Sequence, residues 1–183
     1  MSKRVKIFLT LVAVLNIVSL IFIFIHFKVY SIPSTAMEDT LKVGDNILVD
    51  RIYYRNRKPQ RGEIIVFKYP KDQSKSFTKR CIGIPGDIIR IKNKVLYLNN
   101  KALPEPYVKH IDEQILSNTE GSERDQYGPI TVASGHYFVL GDNRDHSLDS
   151  RYWGQLDQNL LQGKALAIYW RGSEYGLTWE KIK

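Results

Sequence analysis

Residues 7–25 form an apolar run broken only by Thr10, Asn16 and Ser19. At a rise of about 1.5 Å per residue this run makes a helix of roughly 28 Å, close to the hydrocarbon thickness of a bilayer. It has no polar face, which argues against a core helix. Val29-Tyr30-Ser31 loosely resembles a cleavage site, but the run exceeds the roughly 7–15 apolar residues of a cleaved leader. The pattern therefore predicts one uncleaved transmembrane helix, with residues 1–28 forming the N-terminus and anchor. Lys3, Arg4 and Lys6 precede the run and His26 and Lys28 follow it, so the positive-inside tendency predicts a cytoplasmic N-terminus.

Beyond the run the pattern changes to short β-branched stretches bounded by Gly, Asp or Pro. Residues 46–49, 64–67, 88–91 and 95–98 read as strands, as do 129–132, 137–140 and 165–170. Lys92-Asn93-Lys94 and Asn99-Asn100-Lys101 read as hairpin turns. No long segment after the anchor has helical periodicity. The expected fold is mostly β: an antiparallel sheet over residues 29–183, folded over or partly closed into a barrel to hide its edges. Residues 109–128 are polar and poor in β-branched types, and are expected to form a mobile excursion rather than a second domain.

Composition adds modest constraints. The chain has 183 residues and a formal net charge of +8. That excess suits an anionic lipid surface or nucleic acid, but the sequence has no long Lys/Arg block. The single cysteine, Cys81, excludes an intrachain disulfide and reads as a buried thiol in a strand.

Two stretches carry candidate chemistry. The first is the hydroxyl-rich segment 30–41, Tyr-Ser-Ile-Pro-Ser-Thr-Ala-Met-Glu-Asp-Thr-Leu, directly behind the apolar run. The second is Phe77-Thr78-Lys79-Arg80-Cys81-Ile82, where strand alternation puts Phe77, Lys79 and Cys81 on one face. A lysine among apolar neighbours can lose its proton near neutral pH, because burial disfavours the ammonium. His26, His110, His136 and His146 have no triad context. Asp142, Asp145 and Asp149 suggest an acidic metal loop, but Arg144 and Arg151 are expected to neutralise much of it.

These stretches resemble the signature boxes of the bacterial type I signal peptidases, membrane-bound proteases with a serine/lysine dyad. Pro33, Ser34, Met37, Thr40 and Leu41 match the nucleophile box, but Ala36 occupies the position of the attacking serine. Residues 61–67, Arg-Gly-Glu-Ile-Ile-Val-Phe, resemble the next box. The lysine box is matched by Lys79, Arg80, Ile82, Gly83, Pro85, Gly86 and Asp87, and the last signature by residues 141–151. All four occur in family order behind an apolar anchor.

The resemblance implies a role for each matched residue. Lys79 would be the general base, Ser147 would orient its amine, and Ser34 would supply a hydroxyl to the oxyanion hole beside the backbone N–H of Ala36. Ile32, Pro33, Met37, Phe77 and Thr78 would line shallow pockets for small residues before the cleavage site. Asp142, Asp149 and Arg151 would support the last loop, the latter two as an ion pair. In an extended segment Thr35 should face away from Lys79, and Ser34 should lie about 6.6 Å along the strand from Ala36. Neither then replaces the missing hydroxyl.

The implied function is a single-pass endopeptidase of the bacterial plasma membrane. It would remove signal peptides from exported preproteins near the secretion translocon, with no metal, organic cofactor or nucleic acid. Its catalytic domain would be extracytoplasmic, and it would be silenced by an engineered serine-to-alanine change at position 36. The alternative is a naturally non-catalytic paralogue that binds signal peptides or regulates an active relative. A self-cleaving repressor with the same dyad would instead begin with a helix-turn-helix.

Overall fold

The computed structural model describes residues 2–116, 123–172 and 176–182. The apolar run forms helix α1 (Lys3–His26), which buries none of its residues against the rest of the chain. Two of its three polar interruptions, Thr10 and Asn16, are satisfied internally. The Thr10 hydroxyl donates to the Lys6 carbonyl at 3.0 Å and the Asn16 amide donates to the Val12 carbonyl at 2.8 Å. At these two positions the helix carries a polar side chain without exposing an unpaired donor to an apolar surrounding.

Helix α1 passes without a linker into β1 (Phe27–Ser31), which pairs with β2 (Asn46–Asp50) in the register Phe27↔Asp50 to Ser31↔Asn46. The Arg51 N–H donates to the His26 carbonyl at 2.8 Å and fixes the helix end to this hairpin. The chain continues through β3 (Ile64–Tyr69), β4 (Asp72–Gly83), β5 (Ile88–Lys92), β6 (Val95–Leu98) and β7 (Lys101–Ala102). Then come β8 (Gln126–Thr131), β9 (His136–Leu140), a one-turn helix α2 (Ser150–Trp153), β10 (Leu156–Asp157), β11 (Leu161–Arg171) and β12 (Gly176–Lys181).

Every strand pair is antiparallel, as the mostly β reading expects. The larger sheet has the order β1-β2-β11-β3-β4-β9-β10, with β12 also on β11. Strand β11 joins its halves. One edge pairs with β2, and the other pairs first with β3 and then with β12. The smaller sheet has the order β7-β6-β5-β8.

The unbroken apolar run of β3 has a direct explanation, since both its faces are covered. Ile64 and Val66 pack with Ile32, Met37, Leu41 and Val49, while Ile65 and Phe67 pack with Cys81, Tyr137 and Val139. A third cluster, around Ile89, Leu96 and Phe138, joins the two sheets. Both predicted hairpin turns are present. Asn93 and Lys94 have φ of 50° and 67°, and Asn99 and Asn100 have φ of 51° and 66°, the left-handed pair that a two-residue turn between twisted strands requires.

The polar stretch 109–128 differs from expectation at its described flanks. Residues 117–122, its centre, lie outside the described residues. On one side Lys109 forms a parallel bridge with Asn143, and on the other β8 already begins at Gln126. Arg124 and Asp125 pair at 2.8 Å, and Arg124 also reaches Asp112 at 2.9 Å. These contacts tie the two flanks together, a pairing that sequence separation conceals.

Candidate active site

The site begins where β1 ends. Ile32 is held by its N–H to the Asp45 carbonyl at 2.8 Å, and Ser34 keeps an extended backbone with φ −140°. The expectation of an extended chain through Ala36 does not hold. Thr35–Met37 is a 3₁₀ turn, closed by Glu38 N–H to the Thr35 carbonyl at 3.0 Å and followed by Leu41 N–H to the Met37 carbonyl at 2.7 Å. The physical reason is burial, since Met37 and Leu41 both enter the core beside Ile32, Val49 and Ile64. An extended chain would spread those side chains apart, whereas the turn gathers them. Strand alternation therefore does not govern this segment.

A cavity of about 320 Å³ opens beside the turn. Ser34, Ala36 and Met37 form one wall and Phe77, Thr78 and Lys79 of β4 form the other. Ile32 and Pro33 also line it, so all five residues expected to shape shallow pockets meet here. Tyr30, Ser31, Ser76, His146 and Leu148 complete the lining. None of these five was expected to line a pocket, and their signal in the sequence was position within or beside the matched boxes.

Lys79 is 4% exposed and Ala36 6%. The ammonium stem lies near the Phe77 ring, with Nζ 5.7 Å from its centroid. Burial pushes the Lys79 pKa down to about 8; the Asp149 carboxylate opposes this and the Arg151 guanidinium adds to it. Burial wins because Asp149 is already committed elsewhere. Its oxygens accept from Arg151 Nε at 2.8 Å, Arg151 Nη2 at 2.9 Å and the Gly141 N–H at 3.1 Å. Burial pushes the Asp149 carboxyl upward, but the Arg151 charge and hydrogen bonds outweigh it and hold the pKa below the ordinary value.

Ser147 sits between the cavity-lining His146 and Leu148, with its hydroxyl turned inward. That hydroxyl is buried and makes no well-formed hydrogen bond among the described residues, although it lies close enough to Asp149 to help hold that carboxyl's pKa down. Gly141 makes this possible, because a methyl there would overlap both the Ser147 hydroxyl and the Ala36 carbonyl. The Ala36 carbonyl accepts from the Asn143 N–H at 3.2 Å. The last signature loop thus touches the nucleophile-box turn directly. The weak tie to Asp149 leaves the hydroxyl oxygen with lone pairs that an amine donor could still use. Ser34 makes no capping hydrogen bond to the turn it precedes, which leaves its hydroxyl available at the cavity mouth.

The acidic loop is neutralised differently from expectation. Asp149 does pair with Arg151 at 2.8 Å. Arg144, however, turns away to Glu105 and donates to the Gly141 carbonyl at 3.0 Å. Asp145 is met instead by Lys94 at 3.1 Å and His110 at 3.3 Å. Asp142 takes a bidentate Arg80 guanidinium, at 2.9 and 2.7 Å, and the Thr40 hydroxyl. The three acids are thus held apart in separate ion pairs. Arg80 had no assigned role in the sequence reading; its strand position, opposite in face to Lys79, was the available signal. Cys81 is buried at 0% exposure, and burial pushes its thiol up to about 12, as an inert core thiol requires.

Residues 3–170 match the family described as signal peptidase, peptidase S26. A probable signal peptidase I-2 of Synechocystis sp. is 40% identical, over 80% of this chain and 64% of that one. Signal peptidase I of Aquifex aeolicus is 34% identical over 98% of this chain and 88% of that one. Signal peptidase I U of Bacillus subtilis is 38% identical, over 82% and 79%. The chain therefore spans under two thirds of the Synechocystis relative's length.

Proposed function

The chain belongs to the peptidase S26 signal peptidase family, and from that premise we propose that it is a membrane-anchored protein built to bind signal peptides of exported preproteins and hold them for Ser/Lys-dyad cleavage. As it stands, Ala36 denies the dyad its hydroxyl, so the chain binds without cutting. One observation carries the reading. A buried lysine with a depressed pKa lines the same cavity as Ala36, and the Ser147 hydroxyl meets the Ala36 turn across Gly141.

With a serine at position 36, Lys79 takes the hydroxyl proton as the oxygen attacks the scissile carbonyl. The backbone N–H of residue 36 and the Ser34 hydroxyl stabilise the oxyanion. Lys79 then protonates the leaving amine, and a second round with water releases the acyl group. Ser147 aims the amine, and Asp149 with Arg151 holds the loop that carries Ser147. Asp142 supports the same loop through Arg80.

Substrate entry follows from two unpaired strand edges. Among the described residues β1 pairs only with β2, and β9 covers β4 only from Arg80 onward. An extended peptide can add as a strand between Ile32-Pro33 and Ser76-Thr78, its small side chains turned into the cavity. The anchor supports a membrane setting. Helix α1 is long and apolar enough to cross a bilayer, and the cavity-lining Tyr30 lies about 13 Å of extended chain past His26. Lys3, Arg4 and Lys6 favour a cytoplasmic N-terminus and an extracytoplasmic domain 29–183 in the plasma membrane.

The test is Ala36→Ser in the full chain, assayed in detergent on a preprotein. Cleavage between small residues is expected from Ala36→Ser, and binding without cleavage from the chain as it stands. If Ala36→Ser binds the preprotein yet never cuts it, the paralogue reading prevails.

A further inference from the structure

Two further hollows lie near the junction of α1 and the sheet. One, of about 310 Å³, is lined by Ile25, Lys28, Tyr30, Arg51, Arg55 and Gln162, among others. The other, of about 610 Å³, shares Arg51, Arg55 and Gln162 and adds Arg57 and Lys58. The two hollows share the walls formed by Arg51, Arg55, Leu161 and Gln162, so together they make a groove lined by five cations and by no acid. Asp50 and Asp157, the acids flanking these segments, are turned to the backbone instead, accepting from the Ile52 N–H at 3.0 Å and the Asn159 N–H at 2.8 Å. Among the described residues none of the five cations forms an ion pair. Lys28 and Arg57 lie over the Tyr30 and Tyr53 rings, at 4.9 and 4.7 Å. Nearby Lys164, by contrast, is paired with Glu63 at 2.6 Å.

Position decides what such a groove can meet. The Arg51 N–H donates to the His26 carbonyl, the end of α1. If α1 spans the bilayer, Arg51, Arg55 and Lys28 stand at headgroup depth. We infer that this groove binds the phosphate headgroup of an anionic phospholipid in the bilayer that α1 spans. The inference rests on the anchoring reading above. Folding brings residues 51–58 to this level, although they lie more than 20 residues past the helix in sequence. They therefore act after insertion, as a clamp rather than an orientation signal. Tyr30 lines both this groove and the peptide cavity. A bound headgroup thus fixes how the cavity mouth faces the membrane.

The test uses the full chain reconstituted into mixed phosphatidylglycerol and phosphatidylcholine vesicles, then extracted in mild detergent, with bound lipids quantified by mass spectrometry. Each cation near an anionic surface changes binding by about fivefold, so phosphatidylglycerol should be enriched by about fivefold or more. Arg51→Gln/Arg55→Gln/Arg57→Gln/Lys58→Gln should lose the enrichment, and Arg51→Lys/Arg55→Lys/Arg57→Lys should keep it. A control with the same charge loss elsewhere, Lys68→Gln/Arg90→Gln/Lys92→Gln/Lys101→Gln, should also keep it. Enrichment that survives the first variant, or falls equally in the control, overturns the inference. So does displacement of the lipid by inorganic phosphate at low concentration, which would make this a free-phosphate site. Carbonate extraction from phosphatidylcholine vesicles tests the anchor alone, so a failed anchor is distinguishable from a groove without lipid preference.

Discussion

The backbone of Gly141 lies against the Ser147 hydroxyl so closely that no side chain fits between them. The same glycine abuts the Ala36 carbonyl and donates its N–H to Asp149 at 3.1 Å. One residue without a Cβ therefore sets the spacing between the loop hydroxyl, the turn at position 36 and the buried ion pair.

Gly141→Ala in the Ala36→Ser protein should lower kcat at least tenfold while changing KM little. The added methyl displaces Ser147 and the turn, not the peptide-binding edges. Overpacking should also cost about 1–3 kcal/mol of stability. Steady-state kinetics and thermal melts check both. Unchanged kcat would mean that Ser147 needs no fixed position.

Lys79→Met in the same background should abolish cleavage and leave stability equal or higher, because a buried amine is costly. In the Ala36→Ser protein kcat/KM should rise with pH through about 8 and level off above it, as the base must be neutral. Stability has a related signature. The folded pKa lies below the 10.5 of the free side chain, so between about 8 and 10.5 the unfolded chain holds the extra proton. Stability should climb with pH across that window, by roughly 3 kcal/mol in total. Melts of Lys79→Met against pH should lack this slope.

Arg80 and Asp142 are 3% and 1% exposed at their side chains. Asp142→Asn alone should cost about 3–5 kcal/mol, because it strands a buried guanidinium. Arg80→Met/Asp142→Leu together should recover much of that loss, as measured by denaturant unfolding. A double variant no better than the single would point to a role beyond charge compensation.

Asp145 offers an acid-side test. Burial raises its pKa, but backbone N–H groups, Lys94 and His110 together hold it at about 2, below the ordinary 3.8. Its contribution is complete above about 3.8 and disappears as pH falls toward 2. Asp145→Asn should therefore be less stable at neutral pH and show a shallower acid transition, as followed by circular dichroism.

Much of the architecture could be read along the chain, because its signals are local. The span of α1 is a run of apolar residues, the strands are short β-branched stretches, and the Asn-rich turns are the residues that tolerate positive φ. Strand alternation offered Lys79 only as one candidate, since most strand lysines face solvent; the resemblance of residues 79–87 to the lysine box is what singled it out.

The turn at Thr35–Met37 could not be read this way, since its shape depends on Met37 and Leu41 finding a core built by β2, β3 and β11. The partners of Arg80, Arg144 and Asp145 were equally hidden, as each pairs across a wide sequence gap and one arginine looks like another until the chain folds. The groove of cations beside α1 has the same origin. The sequence by itself determined which segments are apolar, which are strands and that position 36 carries only a methyl. Only the tertiary structure decided which charges meet, how dry Lys79 is and what lies beside the end of α1, because burial and pairing depend on distances that no single segment contains.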